Sequence, residues 1–70
     1  MDKTIELMIN GTSRCVPEGC HLAAVLDILG VASATSIVEH NGAIVPRDQF
    51  ASTTLSPGDC LELVRFMGGG

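Results

Sequence analysis

Three cysteines, two histidines and a closing run of glycines are the residues of this sequence with reactive or conformational possibilities beyond packing. Cys15, Cys20 and His21 lie close together and invite comparison with a metal site. Cys60 stands far from them, however, and the two-pair spacing of structural zinc is missing. Free cysteines more commonly serve as small buried hydrophobes. A nucleophilic Cys20 assisted by His21 or His40 is not favoured either, because adjacent helical residues do not face one another. No catalytic residue and no metal ligand is therefore expected. His40 reads as a strand-end residue near solvent, and Arg47 and Asp59 as residues of turn and surface geometry.

The glycines offer a different chemistry. Gly68-Gly69-Gly70 follows directly on the apolar pattern Leu61-Glu62-Leu63-Val64-Arg65-Phe66-Met67. Glycine has no Cβ, tolerates close approach and adds nothing to a core. The expected organisation is a domain over 1–67 and a thin arm over 68–70 that carries the α-carboxylate of Gly70. Such an arm fits a channel in a partner too narrow for side chains.

Seventy residues allow one domain. A chain of this size buries only about 60% of its unfolded surface, which favours a carrier or binding module over a free-standing enzyme. The 46% hydrophobic content is that of a globule, and with no Trp or Tyr its core must be aliphatic. Lys3, Arg14, Arg47 and Arg65 are dispersed and the net charge is −4, which speaks against nucleic acid and for steering toward a basic protein. There is no signal-peptide pattern and no apolar run long enough to cross a membrane, so a cytoplasmic location is expected. The odd number of cysteines agrees with free thiols in a reducing compartment.

Secondary-structure elements must position these groups. Thr4–Ile9 alternates as a half-buried strand, and Asn10-Gly11 signals a tight hairpin into a second strand ending near Pro17. His21–Leu29 carries an apolar stripe at Leu22, Val25, Leu26 and Leu29, closed by Gly30 as a left-handed cap. Cys20 occupies the place of the N-terminal cap, where Ser, Thr or Asp is usual. Ser36–His40 is a third strand, turned by Asn41-Gly42 into a short fourth, Ala43–Val45, which Pro46 confines to an edge. Arg47–Thr54 is expected to be irregular, with Phe50 pinned to the core. Ser56-Pro57-Gly58-Asp59 forms a type II turn before the last strand, Cys60–Phe66. The fold class is α+β: a mixed sheet of four to five strands with one helix on one face, its first and last strands parallel neighbours.

Together, Asn10-Gly11, Val38-Glu39-His40-Asn41-Gly42, Ile44-Val45-Pro46-Arg47-Asp48-Gln49-Phe50, Pro57-Gly58-Asp59 and the Gly69-Gly70 end carry a resemblance to the ThiS family of sulfur-carrier proteins across essentially the whole chain. The resemblance implies a ubiquitin-like β-grasp fold. It also implies that an E1-like enzyme (ThiF) adenylates Gly70 with ATP and magnesium, that a sulfur donor protein then gives a thiocarboxylate, and that thiazole synthase (ThiG) takes the sulfur for the thiazole of thiamine. The carrier would bind no cofactor and would be a monomer alone. A glycine end by itself fits equally a carrier for molybdopterin synthesis or a ubiquitin-like modifier or adaptor. The segment Ile44-Val45-Pro46-Arg47 favours the thiamine assignment.

Because one helix covers one sheet face, the other must stay open. Alternation puts Met8, Val64 and Phe66 there, and with Met67 they form the expected docking surface leading into Gly68, Gly69 and Gly70. Parallel pairing of the outer strands in sequence is expected to bring Met8 close to Val64 and Phe66.

Overall fold

Alternation and two Asn-Gly turns build most of the sheet. The computed structural model describes residues 3–65. Phe66, Met67, Gly68, Gly69 and Gly70, and with them the boundary between domain and arm, lie outside the described residues. Strand β1, Thr4–Ile9, buries Ile5, Leu7 and Ile9 and exposes Thr4, Glu6 and Met8. Asn10 and Gly11 take φ of 50° and 80°, the left-handed pair that a two-residue turn between twisted strands requires. β2, Thr12–Pro17, returns antiparallel, with Val16 opposite Ile5 on the inner side.

Helix α1 spans Leu22–Leu29 and buries Leu22, Val25 and Leu26, the expected stripe. Gly30 closes it at φ 71°, its N–H reaching back to Asp27 and Leu26 carbonyls. The expected cap at Cys20 is corrected: His21 holds the cap position, and no side chain caps the helix. Tertiary pairing replaces the cap. The Leu22 N–H donates to the Thr53 carbonyl at 2.8 Å, the Leu55 N–H donates to the Cys20 carbonyl at 3.2 Å, and His21 bridges Thr54. One of the first helical amides, which have no acceptor within the helix, is thus satisfied by a distant segment.

A short 3-10 turn at Ser33–Thr35 leads to β3, Ser36–His40, and then to β4, Ala43–Ile44. Although Val45 lies outside β4, its N–H still donates to the Val38 carbonyl at 2.9 Å, and Pro46 ends the pairing. The expectation of an irregular Arg47–Thr54 is corrected in part. Arg47–Ser52 is a 3-10 helix, started by the fixed φ of Pro46 and drawn together by the Gln49 N–H on the Pro46 carbonyl. It presents Phe50 to the core, as expected. After the Pro57-Gly58 turn, β5 runs Cys60–Arg65.

The strand order is β2-β1-β5-β3-β4, with β5 parallel to β1 and antiparallel to β3. The sheet therefore has five strands. One layer of aliphatic side chains from β1, β2, β3 and β5 meets α1, Phe50 and Leu55, and these residues make up the core. Such a small core responds strongly to a single cavity. Leu26→Ala is expected to destabilise the fold by about 2–5 kcal/mol, while Ile28→Ala, on the exposed side of α1, should change it by less than about 0.5 kcal/mol. Urea unfolding of both variants tests this, and equal losses would show that α1 does not pack by the stripe described.

Candidate partner-binding face

The face of the sheet away from α1 carries the outward residues of every strand. Pairing fixes its layout. Ser13, Met8 and Cys60 lie side by side across β2, β1 and β5. Ile44, Glu39 and Glu62 lie side by side across β4, β3 and β5. Ile37 lies opposite Val64. Ile44 and Val64 are 68% and 56% exposed and Met8 43%, values that mark large apolar side chains left open to water. Ile37 is half-buried beside them.

Met8 and Val64 thus share the open face, as the alternation requires. The expectation that they lie close together is corrected. Met8 is level with Cys60, and Val64 is four residues further along β5, about 13 Å at the rise of a strand. The short parallel pairing causes this, because β1 turns away at Asn10 while β5 continues. Next to Val64 the structure brings Ile37, and Ile44 lies diagonal to Ile37 across the β3–β4 pair, in the row of Glu39 and Glu62. Sequence reasoning missed both. Ile44 could have been found from its alternation with the edge-strand residues, but Ile37 required the β3–β5 register. Glu39 and Glu62 stand directly opposite each other between the two apolar ends, an arrangement that disfavours the isolated sheet. Glu6 adds a third carboxylate on this face and accepts a hydrogen bond from the Ser13 hydroxyl.

β5 is held from both sides by side-chain amides. On the β1 side the Leu63 N–H donates to Asn10 Oδ1 at 2.8 Å, and Asn10 Nδ2 donates to the Leu63 carbonyl at 3.3 Å. On the β3 side the Cys60 N–H donates to Asn41 Oδ1 at 2.8 Å. Asn41 Nδ2 also donates to Asp59 Oδ1 at 3.2 Å, and His40 Nε2 pairs with Asp59 Oδ2 at 2.7 Å. Asp59 accepts a further bond from the Ser56 N–H and so fixes the turn before β5. His40, expected near solvent at a strand end, is at the strand end but only 23% exposed and engaged by Asp59. Partial burial by itself raises the Asp59 carboxyl. The hydrogen bonds from His40, the Ser56 N–H and Asn41, with the His40 charge, outweigh it, and the pKa lies below the usual carboxylate value.

The thiols are not gathered into a site. Cys15 and Cys60 are exposed on the open face with β1 between them, and Cys20 packs against the core. His40 shares the helix-facing side with Leu61, so it does not meet Cys60. Among the described residues there is no group of three His, Cys, Asp or Glu placed to hold a metal. A groove between α1 and the Arg47–Ser52 helix is lined by Asp27, Ser33, Arg47 and Asp48, but Arg47 is engaged by the Ala34 carbonyl at 2.9 Å. No helix among the described residues is long and apolar enough to cross a membrane.

Comparison with known proteins gives the architecture a context. The family model described as the ThiS family matches residues 7–70. The crystal structure of the thiamine biosynthesis protein ThiS from Geobacter metallireducens superposes with a TM-score of 0.82 at 36% identity, covering 94% of this chain and all of that one. A solution structure of a thiamine biosynthesis protein from the same organism gives 0.77 at 35% identity, over 94% and 88% of the two chains. A thiazole synthase of Paramagnetospirillum magneticum is 41% identical over 66 residues, 94% of this chain and 20% of its own length. The chain therefore spans about a fifth of that relative. The uncharacterized protein ycf40 of Porphyra purpurea is 30% identical over 70 residues, all of this chain and 99% of its own.

The Asp59 network gives a pH dependence of definite sign. A carboxyl whose folded pKa is depressed stabilises the fold fully above its unfolded value of about 3.9 and loses that contribution as pH falls through the folded value. The melting temperature of the native chain should therefore drop more steeply below about pH 4 than that of Asp59→Asn, which has no carboxyl to protonate. Parallel curves for the two proteins would remove Asp59 from the acid response.

Proposed function

The chain belongs to the ThiS family of sulfur-carrier proteins of thiamine biosynthesis, and from that premise we propose that Gly70 is the group that carries the sulfur. The observation that supports this reading is the extent of the family match, which runs through the glycine end to residue 70. A free α-carboxyl has a pKa near ~3.5, so at neutral pH it is an anion and a poor electrophile. In the proposed first step a carboxylate oxygen of Gly70 attacks the α-phosphorus of ATP within an E1-like partner, and magnesium pyrophosphate leaves. The terminal sulfur of a donor-protein persulfide then attacks the glycyl carbonyl carbon and displaces AMP, and a second thiol attacks the donor's own sulfur, which leaves as a mixed disulfide and frees the acyl-bound sulfur. The product is a thiocarboxylate, with one carboxyl oxygen exchanged for sulfur. Nothing in this sequence requires a base or a metal from the carrier, which acts as co-substrate of its partners.

Thiazole synthase is the proposed acceptor of the sulfur, since relatives of that name carry a segment matching 94% of this chain. The open sheet face is the proposed docking surface. Its apolar centre is Val64, Ile37 and Ile44, and it continues to Phe66, Met67 and the arm Gly68-Gly69-Gly70. Glu39 and Glu62 suit a partner whose surface places a basic side chain between them. Met8, at the far end, belongs to the rim.

Intact mass after incubation with ATP, magnesium, the activating enzyme and a sulfur source should rise by one oxygen-to-sulfur exchange, located in the C-terminal peptide. Sulfur found instead on Cys15, Cys20 or Cys60 would indicate a persulfide and refute the thiocarboxylate. Conjugates of Gly70 with lysines would indicate a protein modifier.

Docking is tested by truncation. Val64→Ala, Ile44→Ala and Phe66→Ala should each weaken binding to the activating enzyme, with a central anchor costing about 2 kcal/mol or more, roughly thirtyfold in affinity. Met8→Ala should have a smaller effect. Binding equal to wild type in folded Val64→Ala and Ile44→Ala would place the interface elsewhere. A large fall in melting temperature for Phe66→Ala would place that ring in the core.

A further inference from the structure

We propose that Asn10 is a positioning residue for sulfur loading: its side-chain amide fixes the point on β5 from which the glycine arm departs. The inference rests on the sulfur-carrier reading of Gly70. The backbone rungs between β1 and the β5 segment include the Met8 N–H on the Asp59 carbonyl and the Asn10 N–H on the Leu61 carbonyl, each 2.9 Å. At Asn10 the main chain turns away. The next rung comes from the Asn10 side chain, which accepts from the Leu63 N–H at 2.8 Å and donates to the Leu63 carbonyl at 3.3 Å. A side-chain amide has the donor and acceptor of a peptide group and can extend a ladder by one step. Leu63 lies seven residues before Gly70. Without this rung, β5 from Leu63 onward is paired with β3 alone, through Val64 opposite Ile37 and Arg65 opposite Ser36.

Asn41 makes the corresponding contact at the opposite end of the same strand, on Cys60. The two turns match in conformation, with φ of 50° and 52° at the asparagines and 80° and 89° at the glycines. One amide holds the strand where it begins and the other where it leads into the arm. Five residues beyond Arg65 reach at most about 17 Å. The volume within covalent reach of the Gly70 carboxylate is therefore set by where the chain at Arg65 is held. A looser base enlarges that volume and lowers the effective concentration of the carboxylate at the reacting centre. Docking is affected less, because Val64 stays paired with Ile37 on β3, so the loss falls mainly on turnover.

The test compares Asn10→Gly with Asn41→Gly. Glycine accepts the positive φ of either turn, so each variant loses the side-chain rung and keeps the turn. Amide exchange should quicken at Leu63, Val64 and Arg65 in Asn10→Gly and at Cys60 in Asn41→Gly. In thiocarboxylate formation with ATP, magnesium, the activating enzyme and a sulfur source, well below both melting temperatures, kcat for Asn10→Gly should fall about tenfold with KM within about twofold. Asn41→Gly should leave both within about twofold. An equal fall in the two variants, a change confined to KM, or an Asn10→Gly protein loaded at the wild-type rate would each overturn the proposal. If the wild-type chain acquires no thiocarboxylate, the sulfur-carrier reading fails and this proposal fails with it. A loaded wild type with an unimpaired Asn10→Gly overturns the positioning role alone.

Discussion

Strand β5 enters the sheet between two segments that precede it by tens of residues, and its register against them decides which side chains are inside. Ile9 opposite Leu61 and Val38 opposite Leu63 place both β5 leucines against α1. Cys60, Glu62 and Val64 are then necessarily outside. A slip of one residue would turn Glu62 toward the core and Leu61 toward water, since strand side chains alternate with period two. The parallel backbone pairing with β1 is short, so the Asn10 and Asn41 side chains supply rungs where the main chain has turned away. The same residue type that permits the left-handed turns thereby also pins the central strand. Pairing of β1 with β5 is also strongly non-local in sequence, and such contacts form late because a large loop must close first.

Local signals carried the elements, and long-range pairing carried the arrangement of the face. Asn10-Gly11, Asn41-Gly42 and Pro57-Gly58 were legible because each turn needs a positive φ that few residues accept. The α1 stripe and Gly30 were legible for the same kind of local reason. The cap was misread because Thr53 and Cys20 satisfy the helix entry through contacts invisible in the sequence around His21. Arg47–Ser52 lacks a periodic apolar pattern, having only Phe50 buried, so nothing marked it as helical. Met8 and Val64 were assigned to the right face by alternation. Their separation followed from the register of a parallel pair, and no turn links those strands to specify it. Ile37 was missed because its place beside Val64 is a property of the β3–β5 pairing alone.

The two ends of β5 are built differently. At its start, Asp59 gathers His40, Asn41 and the Ser56 N–H into a polar network that ties the turn to β3. At its far end a single asparagine amide and the β3 pairing hold the strand, and the outward side chains there are Ile37 and Val64. Under the proposed sulfur-carrier reading, a strand that precedes the glycine end would need a fixed far end and a surface that a partner can grip. The Asp59 network fixes where the strand begins and the Asn10 amide fixes its far end, while the exposed aliphatic groups gain by leaving water. The division of polar and apolar residues along β5 matches this division of tasks.

Small size explains why so much of one face stays open. With a single helix, only one face of the sheet can be covered, and the core is confined to one aliphatic layer with Phe50. The residues on the other face add little to folding, and one arrangement there works against it. Glu39 and Glu62 sit directly opposite on neighbouring strands with no cation between them in the described residues. Replacing either by threonine or valine would suit a free-standing sheet better. Their repulsion is relieved when a positive group lies between them, and the flanking Ile44, Ile37 and Val64 shed water in the same event. An arrangement unfavourable in the isolated domain would become favourable against the basic, apolar-centred partner surface proposed for this face.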